Sequence, residues 1–73
     1  MEKLKRISSK NKDQFIDVVQ VENGYYLLQK FVQKYDFEEK QNYEVREHPD
    51  PSGRFGDLDT AVLEANRLLG NLS

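Results

Sequence analysis

Residues 15–32 read Phe15-Ile16-Asp17-Val18-Val19-Gln20-Val21-Glu22-Asn23-Gly24-Tyr25-Tyr26-Leu27-Leu28-Gln29-Lys30-Phe31-Val32. Two runs rich in β-branched and aromatic residues flank Asn23-Gly24. Such runs suit a pleated, half-buried surface. Asn-Gly suits a type I′ turn, which needs positive φ at both central residues. The stretch therefore predicts a β-hairpin.

With Asn23 and Gly24 as a two-residue loop, the register follows by counting outward. Val21 faces Tyr26, Val19 faces Leu28, Asp17 faces Lys30 and Phe15 faces Val32. The Asp17–Lys30 pair sets opposite charges across the ladder, which favours this register. One sheet face then carries Phe15, Val19, Val21, Tyr26, Leu28 and Val32. The other carries Ile16, Val18, Leu27 and Phe31, with Gln20 and Gln29 among them.

Outward from the hairpin, the second strand is expected to run on towards Phe37, with Glu38-Glu39-Lys40-Gln41 as a polar turn. Asn42 to Glu47 alternates as a third strand, Tyr43 and Val45 on one side and Glu44 and Arg46 on the other. His48-Pro49-Asp50-Pro51-Ser52-Gly53 is turn chemistry. A helix follows. Asp57 is a good N-cap and Asp59 suits the positive helix end. Leu58, Val62, Ala65, Leu69 and Leu72 recur in steps of three and four, flanked by Ala61 and Leu68, as one apolar stripe. Gly70 suits the position after the helix. Residues 1–12 read as a basic arm or a short edge strand around Leu4 to Ser8. Residues 13–73 read as a single β-β-β-α domain. The expected class is α+β, with a three- to four-stranded antiparallel sheet and one C-terminal helix across one face.

Length and composition narrow the function. At 73 residues the chain supports one domain with a thin core. It has no cysteine and one histidine, so disulfides, thiolate metal sites and histidine-rich metal sites are excluded. Nothing resembles a signal peptide or a membrane span, which leads to the expectation of a cytoplasmic protein. Residues 1–12 carry Lys3, Lys5, Arg6, Lys10 and Lys12 against Glu2, a charge of +4, and the remainder carries −6. A basic lead on an acidic body suits either a nucleic-acid contact or a solvated arm lying against its own domain.

Candidate chemistry is sparse. His48 has only loop neighbours such as Glu47 and Asp50 as partners, short of what a general base needs. Glu38-Glu39 sits in a turn, and Asp57 and Asp59 are accounted for by capping. Ser52-Gly53-Arg54-Phe55-Gly56 lacks the spacing and the lysine of a phosphate loop. The serines, Ser8, Ser9, Ser52 and Ser73, have no histidine at a telling spacing. No enzyme activity, cofactor or metal is expected.

The two-sided apolar hairpin carries the functional expectation, because one helix covers only one face of a sheet. The second face is expected to be an interaction surface built from Ile16, Val18, Leu27 and Phe31, rimmed by Tyr25 and Tyr35. That describes a small non-catalytic module that forms a homodimer, binds a protein partner, or both. The alternative is single-stranded nucleic-acid binding, with sheet aromatics stacking bases and Lys3, Lys5, Arg6, Lys10 and Lys12 meeting phosphates. In a third reading the arm, through Leu4 and Ile7, covers the second face itself.

Overall fold

A computed structural model describes residues 1–72; Ser73 lies outside the described residues. Four strands, β1 (Glu2–Ser8), β2 (Gln14–Gln20), β3 (Tyr26–Asp36) and β4 (Gln41–Arg46), precede one helix, α1 (Leu58–Leu68). The strands form one antiparallel sheet in the order β1-β2-β3-β4, and α1 packs on β1, β2 and β3. This is the expected α+β class, with the N-terminal segment supplying the fourth strand.

The β2–β3 hairpin departs from the expected register by one residue. Val18 faces Leu28, Asp17 faces Gln29, and Phe15 faces Phe31. The reason is the turn. Gly24 N–H donates to Val21 C=O at 2.9 Å, and Val21 N–H donates to Tyr25 C=O at 3.0 Å. Gly24 has φ +84°, while Asn23 is not among the positive-φ residues. The loop is thus three residues, Glu22 to Gly24, a type I turn closed by a left-handed glycine. One added residue moves every partner on β3 by one. Because side chains alternate with period two, the composition of both faces changes.

Ile16 and Val18 therefore share a face with Leu28, and this face meets α1. They have no exposed surface and join Ile7, Leu28, Ala61, Ala65 and Leu69 in the core, with Tyr26, Phe55, Val62 and Leu68 packed around them. Their expected place on an outer face is corrected: they are core. Leu27 and Phe31 lie on the opposite side, with Phe15, Asp17 and Val19.

The helix ends follow the sequence signals. Asp57 accepts from Thr60 N–H at 2.7 Å and from the Thr60 hydroxyl at 2.9 Å. At the other end Gly70 takes φ +74°. Its N–H donates to Arg67 C=O and Asn71 N–H to Asn66 C=O, a Schellman closure. Asn71 Nδ2 also donates to Ser8 C=O at 3.0 Å, tying the helix exit to the end of β1. Ala61 and Ala65 face the sheet with no exposed surface. Small residues there let the helix backbone approach the strands closely.

The core predicts the cost of truncation. Ile16→Ala should destabilise the domain by about 2–5 kcal/mol, as for other buried aliphatic truncations. Leu63→Ala, on the outer side of α1, should change stability by less than about 0.5 kcal/mol. Urea unfolding midpoints decide between them. Equal costs would mean that β2 presents the wrong residues to the helix.

Candidate interaction surfaces

Two surfaces lie outside the helix-covered core. The first is the open sheet face. Asp17 stands in the middle of β2 between apolar neighbours and has no exposed surface. A lone buried carboxylate would be costly, so it must be paired. Arg6, directly across on β1, donates to it through Nε at 2.7 Å and Nη2 at 3.1 Å. Lys3 adds a contact at 3.0 Å. Arg6 also reaches Glu44 on β4, so one side chain links the two edge strands across the sheet.

The same guanidinium covers aromatic surface. Phe15 and Phe31 are cross-strand partners, and Arg6 Cζ lies 5.0 Å and 5.2 Å from their ring centroids. Lys3 Nζ lies 5.9 Å from the Phe31 centroid. Cations over ring faces are attracted by the ring quadrupole. Both phenylalanines end up half-buried. Val19, between Lys3 and Leu27 on the neighbouring strands, is nearly inaccessible. The open face thus lies under the charged side chains of β1.

This arrangement governs the Asp17 carboxyl. Burial alone would push its pKa up, but the hydrogen bonds and charges of Arg6 and Lys3 outweigh that and hold it below the usual range. Asp17 and Glu44 raise the Arg6 pKa in turn.

The second surface is the β3–β4 hairpin. A helix about 10 Å across spans roughly two to three strands spaced about 4.8 Å apart. The fourth strand is left uncovered: α1 makes no contact with β4, and all six residues of β4 are exposed. Tyr43 and Val45 stand exposed on the helix side of the sheet, and Val45 faces Val32 on β3. Tyr35 is exposed on the other side, its ring edge-on to Phe37 at 5.0 Å. Phe37, in the β3–β4 turn, is 83% exposed. Asp36 Oδ1 holds that turn by accepting from Glu38 N–H at 2.9 Å and Glu39 N–H at 3.3 Å.

The residues singled out from sequence are thus dispersed. Leu27 and Phe31 lie half-buried on the open face, and Ile16 and Val18 lie in the core. Tyr25 is exposed beside the β2–β3 turn, with Arg54 5.9 Å over its ring. Tyr35 belongs to the far hairpin. The five cations are not gathered either. Lys3 and Arg6 are occupied by Asp17, Lys5 pairs in register with Val18 and so falls on the helix side, and Lys10 and Lys12 sit in the β1–β2 turn. His48, Glu38 and Glu39 are exposed. Among the described residues no group of three or more His, Cys, Asp or Glu is placed to hold a metal ion, and no helix is long and apolar enough to cross a membrane. No known family, curated protein or solved structure matches the chain.

The Arg6–Asp17 pair is not among the sequence-based expectations. Its signal was present: a carboxylate inside the run Phe15-Ile16-Asp17-Val18-Val19 calls for a cation on a neighbouring strand. The off-by-one register supplied Lys30 for that role. Lys30 instead lies 3.4 Å from Glu47.

The lowered Asp17 pKa fixes a pH dependence. A carboxyl with a folded pKa below its unfolded value contributes full stability above the unfolded value, about 4, and loses it as pH falls through the folded one. Asp17→Asn should cost about 1–3 kcal/mol at pH 7, the range for a broken buried polar pair. It should also flatten the loss of stability on acidification. Asp57 and Glu64, whose pKa values are lowered as well, keep their share in both proteins. Urea midpoints at pH 7 and pH 3 provide the measurement. A variant as stable as the parent at pH 7, with the same acid loss, would assign the cluster no energetic role.

Proposed function

We propose that this protein is a small, non-catalytic interaction module that docks through its β3–β4 hairpin, onto copies of itself or onto another protein. One observation carries the reading: β4 is exposed along its whole length and is not covered by the helix that shields the rest of that sheet face. Tyr35, Phe37, Tyr43 and Val45 present apolar surface there. Clustered exposed apolar residues on a small domain mark contact sites. Tyrosine and phenylalanine are also enriched at interface cores.

The open sheet face supports other functions less well. A stacking platform for nucleic acid needs free ring faces and unpaired cations. Phe15 and Phe31 lie under Arg6, and Lys3, Arg6 and Arg46 are engaged by Asp17, Glu44 and Asp50. A catalytic reading has little to build on, since the candidate acids and bases His48, Glu38 and Glu39 are exposed loop or turn residues.

Amide spectra of isotopically labelled protein test the reading. Across a concentration series, the resonances of residues 35–46 should shift or broaden, while those of Lys10, Lys12 and α1 stay in place. A silent hairpin, together with shifts at Lys3, Lys10 and Lys12 on adding single-stranded DNA, would overturn it in favour of nucleic-acid binding.

A further inference from the structure

The two edges of the sheet are built differently. The β1 edge carries Lys3, Lys5 and Arg6, and its register is broken by a bulge between Lys3 and Lys5. Lysines and bulges on an edge discourage further strand pairing. The β4 edge, Gln41-Asn42-Tyr43-Glu44-Val45-Arg46, has no proline, glycine or register break. It is a regular template.

The groups this template offers can be read from the ladder. Glu47 N–H donates to Lys30 C=O at 2.8 Å. In an antiparallel pair this alternation turns the backbone groups of Tyr43 and Val45 towards β3. Those of Asn42, Glu44 and Arg46 point away from β3, at the free edge.

We propose that β4 pairs with β4 of a second copy, antiparallel about a two-fold axis at Val45, to make one continuous eight-stranded sheet from two four-stranded ones. This deepens the docking role of the hairpin and rests on that reading. Charge selects the register. Centred on Val45, Glu44 stands opposite the partner's Arg46, Arg46 opposite the partner's Glu44, and Val45 opposite the partner's Val45. Centring on Glu44 sets two glutamates face to face, and centring on Arg46 sets two arginines face to face. Centring on Tyr43 brings Arg46 opposite the partner's Lys40. Like charges directly opposed destabilise a sheet and opposite charges stabilise it.

The Val45-centred register also makes Glu44 and Arg46 the hydrogen-bonded pairs, which matches the groups free at the edge. Arg46, held by Asp50 within its own chain, then lies between that carboxylate and the partner's Glu44. The two-fold runs perpendicular to the sheet, so both helices fall on one side. The exposed Val45 of the two copies meet between them, each with the other copy's Tyr43 as its diagonal neighbour. The contact is isologous, as closed dimers require.

Cysteine scanning in the full chain tests the register, since the chain has no cysteine of its own. Val45 and the partner's Val45 form a non-hydrogen-bonded pair, with Cα atoms about 4.5 Å apart, within disulfide reach. Val45→Cys should cross-link to a dimer on mild oxidation, and Tyr43→Cys, which would face the partner's Glu47, should not. In parallel, Glu44→Arg alone and Arg46→Glu alone should each be monomeric by light scattering, because each opposes like charges twice. An equimolar mixture of the two should recover the dimer mass, which also shows that both variants are folded. Tyr43→Cys cross-linking as readily as Val45→Cys, or an undiminished dimer for Glu44→Arg, would overturn this register and leave the hairpin as a docking element if its amides still respond to concentration. A parent protein that is monomeric at every concentration would overturn the β4–β4 pairing and leave docking onto another protein as the role of the hairpin.

Discussion

The Asp17 carboxylate is the constraint on which the rest of the sheet depends. It lies at the centre of β2 with no exposed surface, and its counter-charge comes from Arg6, the residue directly opposite on β1. The pair fixes β1 against β2. Through Glu44 the same arginine reaches β4. Through Phe15 and Phe31 it gives the outer sheet face a cover that no second layer supplies. A thin domain with one helix has no apolar layer to spare for that face, and a stacked guanidinium with its lysine neighbour takes the place of one. Arginine suits this position because its planar fork binds a carboxylate in two places while lying flat on a ring.

Burying a charge pair stabilises less than burying well-packed hydrocarbon, because both ions lose water. Here the arginine stays partly solvated, about a third exposed at its side chain, so most of the desolvation falls on the carboxylate. The pair also contributes specificity. A register slip on either side of β2 would carry Asp17 away from Arg6 or turn it towards the helix, where Ile16 and Val18 pack. The charge therefore selects the pairing that the apolar residues, present on both sides of the strand, leave ambiguous.

The covered centre leaves unsatisfied surface at the margin. The helix spans the middle of the sheet, Arg6 closes its reverse, and β4 remains with a free backbone edge and an exposed tyrosine and valine on its helix side. The contrast between the bulged, lysine-bearing β1 edge and the regular β4 edge gives the molecule a direction for association. The charge alternation of Glu44, Val45 and Arg46 is self-complementary in one antiparallel register.

The amino-acid sequence by itself determined the order of the elements from β2 to α1 and both helix ends, because those signals are local: Asp57 as a cap, Gly70 in the left-handed region, three- and four-residue apolar steps between them. It also located the β2–β3 turn, since Asn23-Gly24 can do little else between two strands. The two-residue type I′ turn those residues suggest is a three-residue loop in the structure, and that one residue decided which side chains of β3 met which of β2. Leu27 and Phe31 could thus be read onto one face with Ile16 and Val18, when alternation and the true register place them on opposite faces. Only the tertiary structure settled that β1 docks beside β2, which turned Arg6 from a residue of a basic arm into the counter-ion of Asp17. Strand pairing between distant segments depends on the summed fit of two surfaces, and no stretch of either strand contains that information alone.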